Sequence, residues 1–136
     1  MLNDLAVMHH INGEYSQAHA IFEQALDAAR NGGNTRVETM VLIGLGDLFL
    51  DLDAPETALE AYRKARDRVE RSKDRFLNIY QYIAEASAAR MLRDFASARG
   101  LLQVAEQLMG PIPLNYTQGL WLLERGQLAL AEHHML

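Results

Sequence analysis

Three observations predict an all-α chain, built as an array of antiparallel helix hairpins with about seven helices. First, a small–bulky–small triplet stands at Ala18, Phe22 and Ala25, and returns forty residues later at Ala58, Tyr62 and Ala65. A third copy stands at Ala98, Leu102 and Ala105. Spacings of four and three put each triplet on one helical face, where two alanines allow close approach and the large side chain fills the groove between helices. Second, Ala6, Gly46, Ala86 and Gly126 form another series at the same forty-residue stride, each inside an apolar run. A glycine inside a helix costs about 1 kcal/mol relative to alanine, so Gly46 and Gly126 are expected at close backbone contacts. Third, the chain is 49% hydrophobic but only 7% aromatic, a balance that suits tightly packed helices better than a sheet.

Each unit therefore reads as a helix A carrying one small contact residue, a short turn, and a helix B carrying two. A unit with one apolar face cannot bury it alone, so successive units must stack. The first helix A, over 1–11, carries Leu2, Leu5, Ala6 and Met8 at helical spacing, with Met1 almost inside it and no N-cap ahead. Asn12-Gly13 makes the turn, and the first helix B runs from about 14 to 30. Asn31-Gly32-Gly33-Asn34 is a strong stop with glycines suited to left-handed backbone. Thr35 opens the second helix A, which continues through Leu42, Leu45, Gly46 and Phe49 to about 52. Asp53 and Glu56 have the spacing of a capping box, and Pro55 fits an early position of a helix B that runs to about 71. Ser72-Lys73-Asp74 has neither glycine nor proline, so only the period places a break there. The third helix A spans about 75–92 and its helix B about 95–109. Gly110-Pro111-Ile112-Pro113 is the firmest stop in the chain, and one more helix follows over 115–134. The whole of 1–136 reads as one domain: repeat one 1–34, repeat two 35–73, repeat three 74–112 and a terminal helix 113–136.

Composition excludes several classes of function. The absence of cysteine removes disulfides, thiol chemistry and zinc-finger spacings. The chain has no run of 18 apolar residues and no basic segment followed by an apolar one at its start, so a cytoplasmic chain with no membrane partner is expected. Net charge is −5, which argues against direct nucleic-acid binding. The basic cluster Arg63, Lys64, Arg66, Arg68, Arg71, Lys73 and Arg75 is interleaved with acids at helical spacing. It reads as a solvated face, through Glu60–Lys64, Arg63–Asp67 and Arg66–Glu70 pairs.

The repeated pattern resembles the tetratricopeptide-repeat family. Gly13, Tyr15, Ala18, Phe22 and Ala25 carry the resemblance in the first unit, Gly46, Ala58, Tyr62 and Ala65 in the second, and Ala86, Phe95, Ala98 and Ala105 in the third. The family's helix-A leucine stands as Leu5 and Leu45 but is replaced by Glu85 and Arg125. The forty-residue period also resembles that of large bacterial transcription activators of the maltose-regulon type. The resemblance implies a right-handed superhelix whose stacked A helices line a concave groove for a peptide or helix of a protein partner. The family's variable groove positions fall on Asn3, Val7, His10, Met40, Ile43, Asp47 and Leu50 in the first two units. They continue at Tyr80, Ile83, Ser87, Arg90, Leu123 and Gln127. If the groove is free, Arg90→Glu or Tyr80→Ala should abolish partner capture while leaving helicity and melting unchanged. The alternative implied by the resemblance is a ligand-sensing or self-association segment of a multidomain regulator.

The remaining polar residues point to no chemistry. His9-His10 and His133-His134 are adjacent pairs, whose side chains diverge by about 100° on a helix and cannot chelate one ion, so no metal is expected. Asp47 and Asp51 sit one turn apart but bring too few oxygens for a calcium cage. Ser16, Ser72, Ser87 and Ser97 have no base at a sequence-visible spacing, and no phosphate-binding glycine loop or His-Glu-x-x-His occurs. Neither catalysis nor a cofactor is expected. The last helix, with Leu120, Trp121, Leu122, Leu123, Leu128 and Leu130, is apolar nearly all round. That pattern predicts either a segment of a longer array or a homodimer through this helix.

Overall fold

Seven helices follow one another in the computed structural model, which describes residues 2–111 and 115–134. They are α1 (Leu2–Ile11), α2 (Tyr15–Asn31), α3 (Thr35–Asp51), α4 (Pro55–Ser72), α5 (Arg75–Met91), α6 (Phe95–Met109) and α7 (Asn115–His133). The described residues contain no strand. Expectations that rested on Met1, and on Ile112 and Pro113 in the stop before the last helix, lie outside the described residues. No described helix is long and apolar enough to cross a membrane.

The turns are built alike. The amides of Glu14, Asn34, Ala54 and Asp94 return to the carbonyls of His9, Ala29, Phe49 and Ala89, the six-to-one bond that ends a helix through a left-handed residue. Glycine fills the left-handed position at Gly13 and Gly33, but Asp53 and Arg93 fill it in the other two turns, at φ +58° and +63°. This overturns the capping box. Asp53 closes α3 instead of opening α4, whose N-cap is Ala54 with no side-chain bond. Pro55 does occupy the early position assigned to it. At the break before α5, Lys73 turns left-handed at φ +57° and the Asp74 carboxylate accepts from the Leu77 amide. Asn34 and Asp94 cap α3 and α6 in the same way.

Ala18, Ala58 and Ala98 are all fully buried, as are the bulky residues Phe22 and Tyr62. Gly46 shows why the second series must be small. A Cβ there would stand 2.4 Å from the Tyr62 ring, and one at Gly44 would stand 2.6 Å from Phe22. Gly126 does not follow suit: it is exposed, and a Cβ there would meet nothing within 4 Å. Its expected close contact is absent because no described helix covers that side of α7. Gly46→Ala should therefore cost about 1–3 kcal/mol by overpacking against Tyr62. Gly126→Ala should instead gain up to about 1 kcal/mol from helix propensity. Urea unfolding of the two variants checks both signs.

Consecutive helices pack as hairpins, and α1, α3, α5 and α7 also touch one another in turn. Helices α2, α4 and α6 make no such contacts among the described residues. The A helices thus form a continuous inner wall, and the B helices splay apart outside it.

Candidate functional site

Polar side chains on the inner wall are spent mostly on joining one A helix to the next. His10 Nε2 of α1 lies 2.5 Å from Asp51 Oδ2 of α3. Asp47, also on α3, accepts from the Tyr62 hydroxyl at 2.5 Å and from the Tyr80 hydroxyl at 2.8 Å, which ties α3 to α4 and α5. Burial pushes the Asp47 carboxyl up from an ordinary 3.8 to about 6, against the lowering effect of the two hydroxyls. The same burial, with Asp47 alongside, holds both phenols well above their ordinary range. Further along, Glu124 of α7 is almost fully buried. It accepts from Ser87 Oγ at 2.5 Å and Arg90 Nε at 2.6 Å, and Arg90 Nη2 also donates to Gln127 Oε1 at 3.2 Å.

The expected groove residues thus divide. Met40 takes an Arg36 guanidinium on its sulfur at 3.5 Å, and lines a cleft of about 480 Å³ together with Asn3 and Val37. Val7, Leu50 and Leu123 keep part of their apolar surface on the wall. Ile43 and Ile83 do not: they are 4% and 6% exposed and belong to the core, because the face they occupy turns into the hairpin. Arg90, Ser87 and Gln127 are joined to Glu124, and Tyr80 to Asp47, so these polar groups are linked within the fold. The expectation that Arg90→Glu or Tyr80→Ala leaves melting intact is therefore overturned.

Two residues that the sequence reading passed over stand out. Phe76 and Tyr116 are 46% and 66% exposed, and their rings stack at 6.2 Å. Phe76 stacks in turn on Tyr80 at 6.4 Å, which makes an aromatic strip from α5 to α7. Their forty-residue separation, with Arg36 forty earlier still, was the signal that would have found them.

The basic cluster is also different from its expected form. Three of its seven members bond across helices. Arg68 donates to Glu38 of α3, Arg66 Nη2 lies 3.2 Å from Glu85 Oε2 of α5, and Arg75 donates to the carbonyls of Leu108 and Met109. His9 Nδ1 lies 3.3 Å from Glu14 Oε1, and the rings of His133 and His134 meet edge to face at 6.2 Å. Among the described residues no three His, Cys, Asp or Glu side chains gather as they would around a metal ion.

Comparison with known proteins bears on this architecture directly. No curated protein sequence matches the chain. The sequence model of the tetratricopeptide repeat, however, matches residues 1–71, which covers α1 to α4 and the turns between them. With hairpins packed consecutively and small residues buried at a fixed stride, the chain belongs to the tetratricopeptide-repeat family.

Proposed function

We propose that the inner wall holds a peptide segment or helix of a protein partner, with Phe76, Tyr80 and Tyr116 as its principal contact. Tetratricopeptide repeats generally mediate protein–protein interaction, and such helical arrays are typically not catalytic. The observation that supports this reading is the exposed aromatic strip on a wall where His10, Asp47, Ser87, Arg90 and Gln127 are already bonded within the fold. Rigid aromatic rings supply large contact area at small entropic cost, and residues of this type dominate interface energetics. Val7 and Leu123 extend the apolar surface to either side.

Peptides selected from a displayed library should shift the amides of Phe76, Tyr80 and Tyr116 when titrated into isotope-labelled protein. Replacing Phe76 and Tyr116 together by alanine should weaken that binding about tenfold or more. Selected peptides that map to the outer face would refute the assignment.

A second reading, self-association within a regulatory protein, is favoured by one observation: α7 exposes Leu122, Leu123 and Leu130. Light scattering over a range of concentrations separates the two, since only self-association makes the apparent mass rise.

A further inference from the structure

The outer face carries two grooves of identical construction, and the repeat makes one a control for the other. Each lies between neighbouring B helices with an A helix as its floor. The first, between α2 and α4 over α3, is about 210 Å³; the second, between α4 and α6 over α5, is about 350 Å³.

Residues forty apart explain the difference. In the first groove Phe49 stands on the floor, its ring in edge contact with His19 at 5.8 Å. In the second that position is Ala89. On the wall, Glu60 of the first groove gives way to Gly100 of the second, and a Cβ at Gly100 would meet nothing within 4 Å. Gly44 and Gly46 are small because a ring lies on them, whereas no described residue requires Gly100 to be small. Its effect is to leave the groove open.

The charges change as well. Glu23 and Leu26 of the first groove become Arg63 and Arg66. The floor leucine, Leu45, becomes Glu85, one of the chain's departures from the family's leucine. Glu85 occupies Arg66 at 3.2 Å and also accepts from Gln81 Nε2 at 2.8 Å. Asp94, at the groove's end, is engaged in capping: it accepts from the Ser97 amide at 3.2 Å and the Ser97 hydroxyl at 2.7 Å. Among the described residues Arg63 forms no ion pair, though its charge, with that of Arg66, acts to lower the Glu85 carboxyl against the larger effect of burial. Leu59, Leu101 and Val104 supply apolar wall around these guanidinium groups.

We propose that the groove between α4 and α6 binds a small organic anion. Its oxyanion head, a carboxylate or phosphate monoester, lies on Arg63 and the outer edge of Arg66, and its short apolar body lies over Ala89 and Gly100. An Arg fork can engage two oxygens of such a head at once, and the volume falls within the range of small-molecule sites. This site is on the opposite side of the array from the aromatic strip and does not depend on it.

Isotope-labelled protein titrated with hexanoate and with hexyl phosphate tests the assignment. At least one should give saturable shifts at Ala89, Gly100, Leu101 and the Arg63 and Arg66 side chains. The head that saturates first identifies the preferred anion, and 1-hexanol should bind at least tenfold more weakly than that head. Gly100→Glu, which restores the first groove's residue at an exposed helical position, should abolish the shifts without loss of thermal stability. Arg63→Gln should weaken binding about tenfold through loss of the charge-assisted contact. Equal binding of 1-hexanol would leave only an apolar cleft. Absence of shifts at these residues, or insensitivity to both substitutions, would overturn the proposal.

Discussion

Arg90→Met should cost about 3 kcal/mol, because it leaves the Glu124 carboxylate buried without its counter-charge. Glu124 has only 4% of its side chain exposed and Arg90 only 23%, so water cannot replace the lost partner cheaply. Ser87 would still donate to Glu124, but a hydroxyl offers one neutral hydrogen bond where the guanidinium offered a charged one. The loss should be local to α7, which touches only α5 and α6 among the described helices. Trp121 is the chain's one tryptophan, and it sits on α7 with its indole N–H donating to the Leu102 carbonyl at 2.8 Å. Its emission therefore reports α7 directly. In urea, the fluorescence transition of Arg90→Met should fall to lower denaturant than the far-ultraviolet dichroism transition. Adding Glu124→Gln should recover most of the loss, since both members of the charged pair are then removed. A double variant as unstable as the single one would show that shape, not charge, joins α5 to α7.

Asp47→Asn should change the pH dependence of stability markedly. The carboxyl is raised to about 6 by burial, so between 3.8 and 6 the folded protein holds a proton that the unfolded chain has released. Stability contributed by this group is present at low pH and lost as pH rises through about 6. A rise of this size corresponds to roughly 2–3 kcal/mol between pH 4 and pH 7. Asparagine cannot ionise and can still accept from a tyrosine hydroxyl through its carbonyl oxygen. The variant should therefore gain stability relative to the parent as pH rises from 4 to 7. The difference between the two urea-unfolding profiles isolates this group from Glu85, whose burial raises its carboxyl in the same direction. A difference that does not vary with pH would mean that Asp47 ionises freely in the fold.

The helices themselves were legible to within a residue or two, because a triplet such as Ala58, Tyr62 and Ala65 has one physical use. Small side chains at four and three admit a neighbouring helix, and the structure buries all three. Turns were legible where glycine marked them and not where Asp53, Lys73 or Arg93 took the same left-handed backbone. At Asp53 and Arg93 the six-to-one bond and the packing of flanking helices impose the conformation, and side-chain identity carries little signal. Groove residues were half legible. Period placed His10, Asp47, Tyr80 and Arg90 on one wall, but their partners Asp51, Tyr62 and Glu124 lie on other helices. The basic cluster failed in the same way, since spacing along one helix suggested Arg66–Glu70 while the neighbouring helix presented Glu85.

What the amino-acid order determined alone is the fold: a stride of forty residues, repeated in small side chains, permits stacking only of hairpins. Which side chains remain available to another molecule was decided by tertiary structure. Availability depends on what the next helix presents, and helix-to-helix pairing consumed Arg90 and the Tyr80 hydroxyl while leaving Phe76, Tyr116, Arg63 and part of the Tyr80 ring open. Charge and burial act through space at a few ångströms, whereas a repeat is written along the chain; the second cannot encode the first without the packing between them.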